Sequence, residues 1–343
     1  MTHIRSIQLA IGNALPSGNP AESASILALW QDIQMYFRRR AFAVALPERS
    51  TPRTWQITLD AGYLIALMEQ ALHSAGSFEA WRQKLASKAE KPSGASLLIE
   101  IGSENSAPNE LEAYEIATVF LQQLVIAVNL VQPGALRMLQ PVFKSDGGHR
   151  YEAQTFDSKV YYGAFRNLRD LGWWQRHNPN FDKVWQWLER IESSHNHVAL
   201  GSTEKVLFTM LKVAEQRNEM SSRAALLVVY QLEMLLDCRS PLDARHLRNR
   251  LRLVLGSVPE AADCIGELYD VRDGFLLGSR PVQRPPLICH DGLTEFMEHI
   301  DRHENPVELG TALVLVLLRE LVSHDAQAFA FSESMEFRAS LPA

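Results

Sequence analysis

An α+β N-terminal half followed by an all-helical bundle is the fold this sequence predicts, and three observations predict it. Strand-like apolar patterning belongs to the first half, at Trp55, Ile57, Leu59 and again at Leu97, Leu98, Ile99, Ile101, interleaved with helical spacing. From Asn180 onward the strand signal disappears and apolar residues recur every three or four positions. A chain of 343 residues, 46% of them hydrophobic, is long enough for about two domains with a core each.

In order along the chain, the opening MTHIRSIQLAIGNALPSG reads as a short strand or extended segment. It has no basic stretch leading into a long apolar one, so no secretion signal is expected and the cytoplasm is the expected location. Ile26, Leu29, Trp30, Ile33 and Phe37 mark a helix, Asp60 is placed to cap a helix over Tyr63 to His73, and Pro108 to Glu112 opens a long helix, Glu112 to Val131. The uncharged run Ile116 to Leu136 is long enough to span a bilayer, but Gln122, Gln123, Asn129 and Gln132 interrupt it, which predicts a buried helix and no membrane partner. Lys144 to Lys159, with SDGGH, reads as a turn or hairpin and places the domain boundary, giving an α+β domain over 1–150 and a helical one over 180–330. Helices are then expected at Phe181 to Ser194, Ser202 to Arg217, Ser221 to Asp237, Asp243 to Leu255, Ala261 to Leu277 and Thr311 to Ser323, with a weaker one at Gly292 to His303. Ser202, Ser221 and Asp243 are candidate N-caps.

Thirty-four basic against 40 acidic residues, a net charge of −6, exclude loose wrapping of nucleic acid by a basic surface and leave room for a local basic site. Cys238, Cys264 and Cys289 form no CxxC pair, so neither a disulfide framework nor a thiolate zinc site is expected. No Gly-rich phosphate loop, GxSxG elbow or HExxH helix occurs, which removes the common nucleotide-hydrolysing and hydrolase chemistries and calls for no cofactor. His195 and His197 in SSHNH, and Glu295, His299 and His303 at four-residue spacing, could each offer metal ligands, but neither supplies a full coordination shell and no metal is expected. Arg319 and His324 sit five apart at the end of an apolar helix, where a cation complements the helix dipole. Basic residues cluster at Arg38, Arg39, Arg40 and in ARHLRNRLR, where Arg245, Arg248 and Arg252 share one helical face and Leu247, Leu251 and Leu255 the other. That face could hold phosphates bidentately, unless acids on neighbouring helices such as Glu233 pair with it.

The element order in the second half, LLVVYQLEMLL (Leu226 to Leu236), then the Arg250, Leu251 pair, then IGELYDVRDGFLLG (Ile265 to Gly278), then LLRELV (Leu317 to Val322), resembles the Apea-like group of HEPN domains, over about Phe181 to Asp325. The resemblance implies a helical bundle that pairs as a homodimer or with another defence protein, and a ribonuclease pattern of Arg, four to six residues, then His. In such a pattern a fixed cation holds the scissile phosphate and an imidazole moves the proton of the attacking 2′-hydroxyl. Arg272 matches the arginine, but Leu277, followed by Gly278, stands where the histidine belongs. A leucine cannot exchange a proton, so the resemblance implies a catalytically degenerate protein that binds RNA or a protein partner in stress response or antiphage defence. Two alternatives stay open: an active, metal-independent ribonuclease using a displaced histidine such as His324, beside Arg319, or His290; and a helical scaffold with no nucleic-acid role.

Overall fold

The computed structural model describes residues 3–10, 20–46, 52–73, 96–103, 108–136, 138, 141–145, 148–152, 154–157, 159–173, 178–215, 222–238, 244–257, 263–279 and 294–332. Its six-stranded antiparallel sheet is built from β1 (His3–Ala10), β2 (Arg40–Val44), β3 (Arg53–Asp60), β4 (Ser96–Ser103), β5 (Val142–Ser145) and β6 (Arg150–Glu152), in the order β2-β3-β4-β1-β5-β6. The opening segment is therefore a full strand, paired with β4 from His3↔Ser103 to Ala10↔Ser96 and with β5 from Ile7↔Ser145 to Ala10↔Val142. The period-two pattern puts Ile7, Leu9, Phe42, Trp55, Ile57, Leu59, Leu97, Ile99 and Phe143 on one buried face. The other face carries Ser6, Gln8, Thr58, Glu100 and Lys144 at the alternate positions.

Helices α1 (Pro20–Tyr36), α2 (Gly62–His73) and α3 (Glu110–Val131) accompany the sheet. Asp60 Oδ1 accepts the Gly62 amide at 2.7 Å, the expected cap of α2. Asn109 starts α3 two residues ahead of the expected Glu112, in a capping box: its Oδ1 takes the Glu112 amide at 2.9 Å while Glu112 Oε2 takes its own at 3.0 Å. Helix α3 is long and apolar enough to cross a membrane, but most of it is buried, because β1 and β4 cover one side and helices of the second half cover the other. Its end turns at Gly134, whose φ of 81° and close approach to Tyr162 admit only glycine; a Cβ there would lie 2.7 Å from the Tyr162 Cβ.

The second half comprises α4 (Lys159–Asp170), α5 (Phe181–Ile191), α6 (Ser202–Ala214), α7 (Ser222–Leu235), α8 (Ala244–Leu255), α9 (Ile265–Leu276) and α10 (Thr294–Ser323). Helix α4 begins where the expected Lys144 to Lys159 turn or hairpin ends, in a stretch that sequence patterning does not single out as helical. The hairpin is β5–β6, and the segment after it is an amphipathic helix with Val160, Ala164 and Leu168 buried against α10. The two segments expected at Gly292 to His303 and Thr311 to Ser323 are one helix running through Pro306. Proline removes one backbone donor, at a cost of about 3 kcal/mol in a helix interior, and burial of the continuous stretch Val307 to Val322 between α4, α7 and α9 outweighs it. The N-cap of α6 is Gly201, not Ser202; Ser221 and Asp243 lie outside the described residues.

Sequence length predicts a core for each half, over 1–150 and 180–330; the buried residues instead form one cluster from Ile7 to Val322. The joint is aromatic: Phe37, beyond α1, meets Phe120 of α3 at 5.0 Å, Trp185 of α5 at 4.7 Å and Phe181 at 5.8 Å between ring centroids. A helix as uniformly apolar as α3 needs cover on both sides, and α5, α6 and α10 provide the second.

Candidate functional site

Arg272 projects from α9 toward α7, and three groups engage its guanidinium. Its Nη1 lies 2.8 Å from Glu233 Oε1, its Nε 2.8 Å from Asp273 Oδ1, and its plane sits 4.0 Å from the Tyr269 ring centroid. The Tyr269 hydroxyl donates to the same Glu233 Oε1 at 2.9 Å. Against the opposing effect of burial, the hydrogen bond and charge of Asp273 and the charge of Glu233 hold the Arg272 pKa above its ordinary value. Burial, and then the bond to Glu233 and its charge, push the Tyr269 phenol up. The YDVR motif thus forms an α7–α9 clamp. Leu277, the C-cap of α9, is 81% exposed in a run with the exposed Phe275 and Leu276.

Arg319 and His324 are not brought together. Arg319 is 1% exposed and points inward, its Nε donating to the Leu130 carbonyl at 2.8 Å and its Nη2 to Val131 at 2.9 Å. It caps α3 rather than its own helix, where the last carbonyls and the dipole attract a cation. Burial lowers its pKa to about 9, so it carries its charge at neutral pH. The His324 side chain is 71% exposed, with Nδ1 2.9 Å from the Glu320 carbonyl. His290 lies outside the described residues.

On α8, Leu247, Leu251 and Leu255 are buried while Arg245 and Arg252 are exposed, as their spacing predicts. Arg248 is half-buried, and its Nε meets Asp263 Oδ1 at 2.8 Å. An acid therefore does pair with one member of the stripe, but it is Asp263; Glu233 is occupied by Arg272. Among the described residues no carboxylate pairs with Arg245 or Arg252. Arg250, on the same helix, caps the end of α7 through the carbonyls of Leu236 and Asp237, at 2.8 and 2.6 Å. Of the other basic cluster, Arg40 stacks on Tyr36 at 4.3 Å, beside the exposed Arg38 and Arg39.

The SSHNH loop after α5 serves structure. The Ser194 hydroxyl donates to the Ala43 carbonyl at 2.7 Å and its own carbonyl accepts the Ala45 amide at 3.2 Å, which satisfies the free edge of β2. His195 Nδ1 lies 3.6 Å from Glu192, and no cluster of three metal-ligating side chains occurs among the described residues. The side chains of Glu295, His299 and His303 lie outside them. Sequence reading missed Glu204, buried at the start of α6, which accepts from the amides of Leu200 and Gly201 and from Asn196 Nδ2. The available signal was its place three residues into the helix after Gly201. It also missed a cleft of about 270 Å³ that this loop borders, lined by α3 and α6 and including His197. Comparison of the chain with protein-family models, with curated proteins and with solved structures finds no match.

Proposed function

We propose that this protein binds RNA without cleaving it, through the outward face of α8. The observation that carries the reading is the pair of exposed arginines, Arg245 and Arg252, with no carboxylate partner among the described residues, flanking Arg248, on a helix fixed by its buried leucines. Guanidinium groups without a carboxylate partner are free to take phosphate oxygens in pairs, which suits a local site on an acidic protein. Cleavage finds no support, because Arg272 is engaged by Glu233 and Asp273, Leu277 offers no proton-transferring group, and Arg319 is buried away from His324. The HEPN resemblance makes stress response or antiphage defence the setting of such a binder.

The test is a fluorescence-anisotropy titration with a single-stranded RNA at several salt concentrations. Changing Arg245 and Arg252 to Gln is expected to weaken binding and to flatten the plot of log K against log salt by about 1.4, at roughly 0.7 per lost phosphate contact on a single strand. The melting temperature should stay within error, since exposed charges contribute little. Equal affinity and slope in wild type and double variant would rule out α8. A second reading, a scaffold or dimer contact, is favoured by the exposed run Phe275, Leu276, Leu277. A shift from dimer to monomer in Leu276→Asp, read by light scattering, would support it.

A further inference from the structure

Past the end of α10 the segment Ala326–Phe331 crosses the second half as an irregular strap. A left-handed residue, Asp325 with φ of 53°, starts it, and the amides of Asp325 and Ala326 bond back to the carbonyls of Val322 and Leu321 at 3.3 and 2.9 Å. That pairing closes a helix and sends the chain off its axis. Side chains then hold the strap at successive points. Trp187 Nε1 of α5 donates to the Ala326 carbonyl at 2.8 Å, Thr203 Oγ1 at the start of α6 donates to the Gln327 carbonyl at 2.5 Å, and Gln327 Nε2 donates to the Arg190 carbonyl at 3.3 Å. Phe329 and Phe331 are half-buried against the core, with ring centroids 6.5 Å apart. Beyond Ala326 no backbone–backbone hydrogen bond engages the strap among the described residues. Side-chain contacts keep it seated, and a segment held in that way opens at less free energy than the helices beneath it.

The far end of the strap meets α8. Phe331 lies over the guanidinium of Arg250, with Cζ 4.7 Å from the ring centroid. Arg250 is half-buried, and at about 100° per residue it lies on the side of α8 opposite Arg248 and Arg252. Its Nη1 ties α8 to the end of α7, through the carbonyls of Leu236 and Asp237 at 2.8 and 2.6 Å. The aromatic face attracts the cation and covers it from water. Helix α8 also rests on α9, by packing and by the Arg248–Asp263 pair. We propose that the strap positions α8: seated, Phe331 fixes Arg250 on the end of α7 and holds the face of Arg245, Arg248 and Arg252 in one orientation; lifted, it leaves α8 mobile. The consequence for RNA rests on the reading of that face as the binding surface. Arg250 and Phe331 act through it as positioning residues and touch no phosphate themselves.

Hydrogen–deuterium exchange of the whole chain, read without RNA, tests the coupling. Phe331→Leu keeps an apolar side chain but removes the aromatic face, and exchange of the α8 and strap amides is expected to rise about fivefold while α3 stays at the wild-type rate. Phe331→Tyr keeps the face and should exchange as wild type does. Thr203→Val cuts the strap's middle anchor without touching α8 and should raise exchange in both segments. Wild-type exchange of α8 in Phe331→Leu, a rise of equal size in α3, or a strap freed in Thr203→Val with α8 unchanged overturns the proposal. In the anisotropy titration Phe331→Leu should weaken RNA binding with the slope against log salt unchanged, because the same phosphates are met by a helix that must first be ordered. Arg245→Gln with Arg252→Gln flattens that slope instead. Loosened α8 in a protein that binds no RNA supports the strap's hold and refutes the α8 reading alone; wild-type RNA affinity in a Phe331→Leu chain whose α8 has loosened overturns the strap's role in binding.

Discussion

Replacing Arg319 by methionine removes the cation that ties α10 to the end of α3 without emptying the space its stem fills. Two bonds are lost, at 2.8 Å to Leu130 and 2.9 Å to Val131. Charge-assisted bonds are worth about 1.5–3 kcal/mol each, which gives about 3–6 kcal/mol for the pair. Removing the cation also relieves the cost of burying it, the same cost that lowers its pKa to about 9. Because that relief is partial and the two carbonyls remain buried, the expected net loss is about 2–4 kcal/mol. Arg319→Lys keeps a charge but not the planar fork, and is expected to fall between wild type and Met, whereas Arg319→Ala adds a cavity and should be worst. Urea unfolding followed by tryptophan fluorescence reads the series, since Trp30 and Trp55 report the first half and Trp185 and Trp187 the second. The midpoints of both halves should move together, because one core joins them. A Met variant within about 0.5 kcal/mol of wild type, the range of ordinary surface substitutions, or a loss confined to one half, would refute this account of Arg319.

Gly310 lies where α10 crosses α7 and α9, and a Cβ there would sit 2.6 Å from Val228 Cγ1 and 2.7 Å from Leu268 Cδ1. Gly310→Ala should therefore cost about 1–3 kcal/mol by overpacking; a melting temperature equal to wild type would contradict the tight crossing. Leu277→His should leave RNA uncut in EDTA, because Arg272 stays held by Glu233 and Asp273, and cleavage above the wild-type background would reopen the ribonuclease reading. At alkaline pH stability should fall. Burial raises Tyr36 and Cys264 to about 12 and raises Tyr161 as well, so the unfolded chain releases their protons first and the stabilisation present below pH 9–10 is lost as pH climbs toward 12. Arg319, lowered to about 9, acts in the opposite direction within the same window, but it is one group against these three and others raised by burial, such as Tyr269. The part of the rise in absorbance at 295 nm that belongs to the buried tyrosines should accompany loss of circular dichroism; ionisation of all eight tyrosines while the fold stays intact would contradict it.

The local patterns were legible in the chain itself. Alternation at Trp55, Ile57 and Leu59 fixes a strand with one buried face, and Asp60 or the Asn109–Glu112 pair fixes where a helix begins, because each depends on neighbours a few residues away. The buried leucines and exposed arginines of α8 follow from spacing alone. What spacing does not carry is the identity of a distant partner. Arg272 could be read from sequence as a motif residue or as one paired with its neighbours Asp270, Asp273 or Glu267, and only the fold adds Glu233, 39 positions away, to Asp273 as a partner. Arg319 was legible as a cap, yet the helix it caps ends 188 residues earlier. Helix α4 escaped notice because it follows directly on the stretch read as a turn and boundary, Lys144 to Lys159, and only burial against α10 makes its apolar stripe count. Division into two cores was reasonable from length, but packing depends on which faces remain uncovered, and α3 has none to spare. The cleft beside the SSHNH loop follows the same rule, since its walls come from α3, α6 and a loop that only the tertiary structure draws together. Short-range order is set by each residue's immediate neighbours, whereas pairing of charges and enclosure of space depend on chain segments that meet only after the backbone has folded.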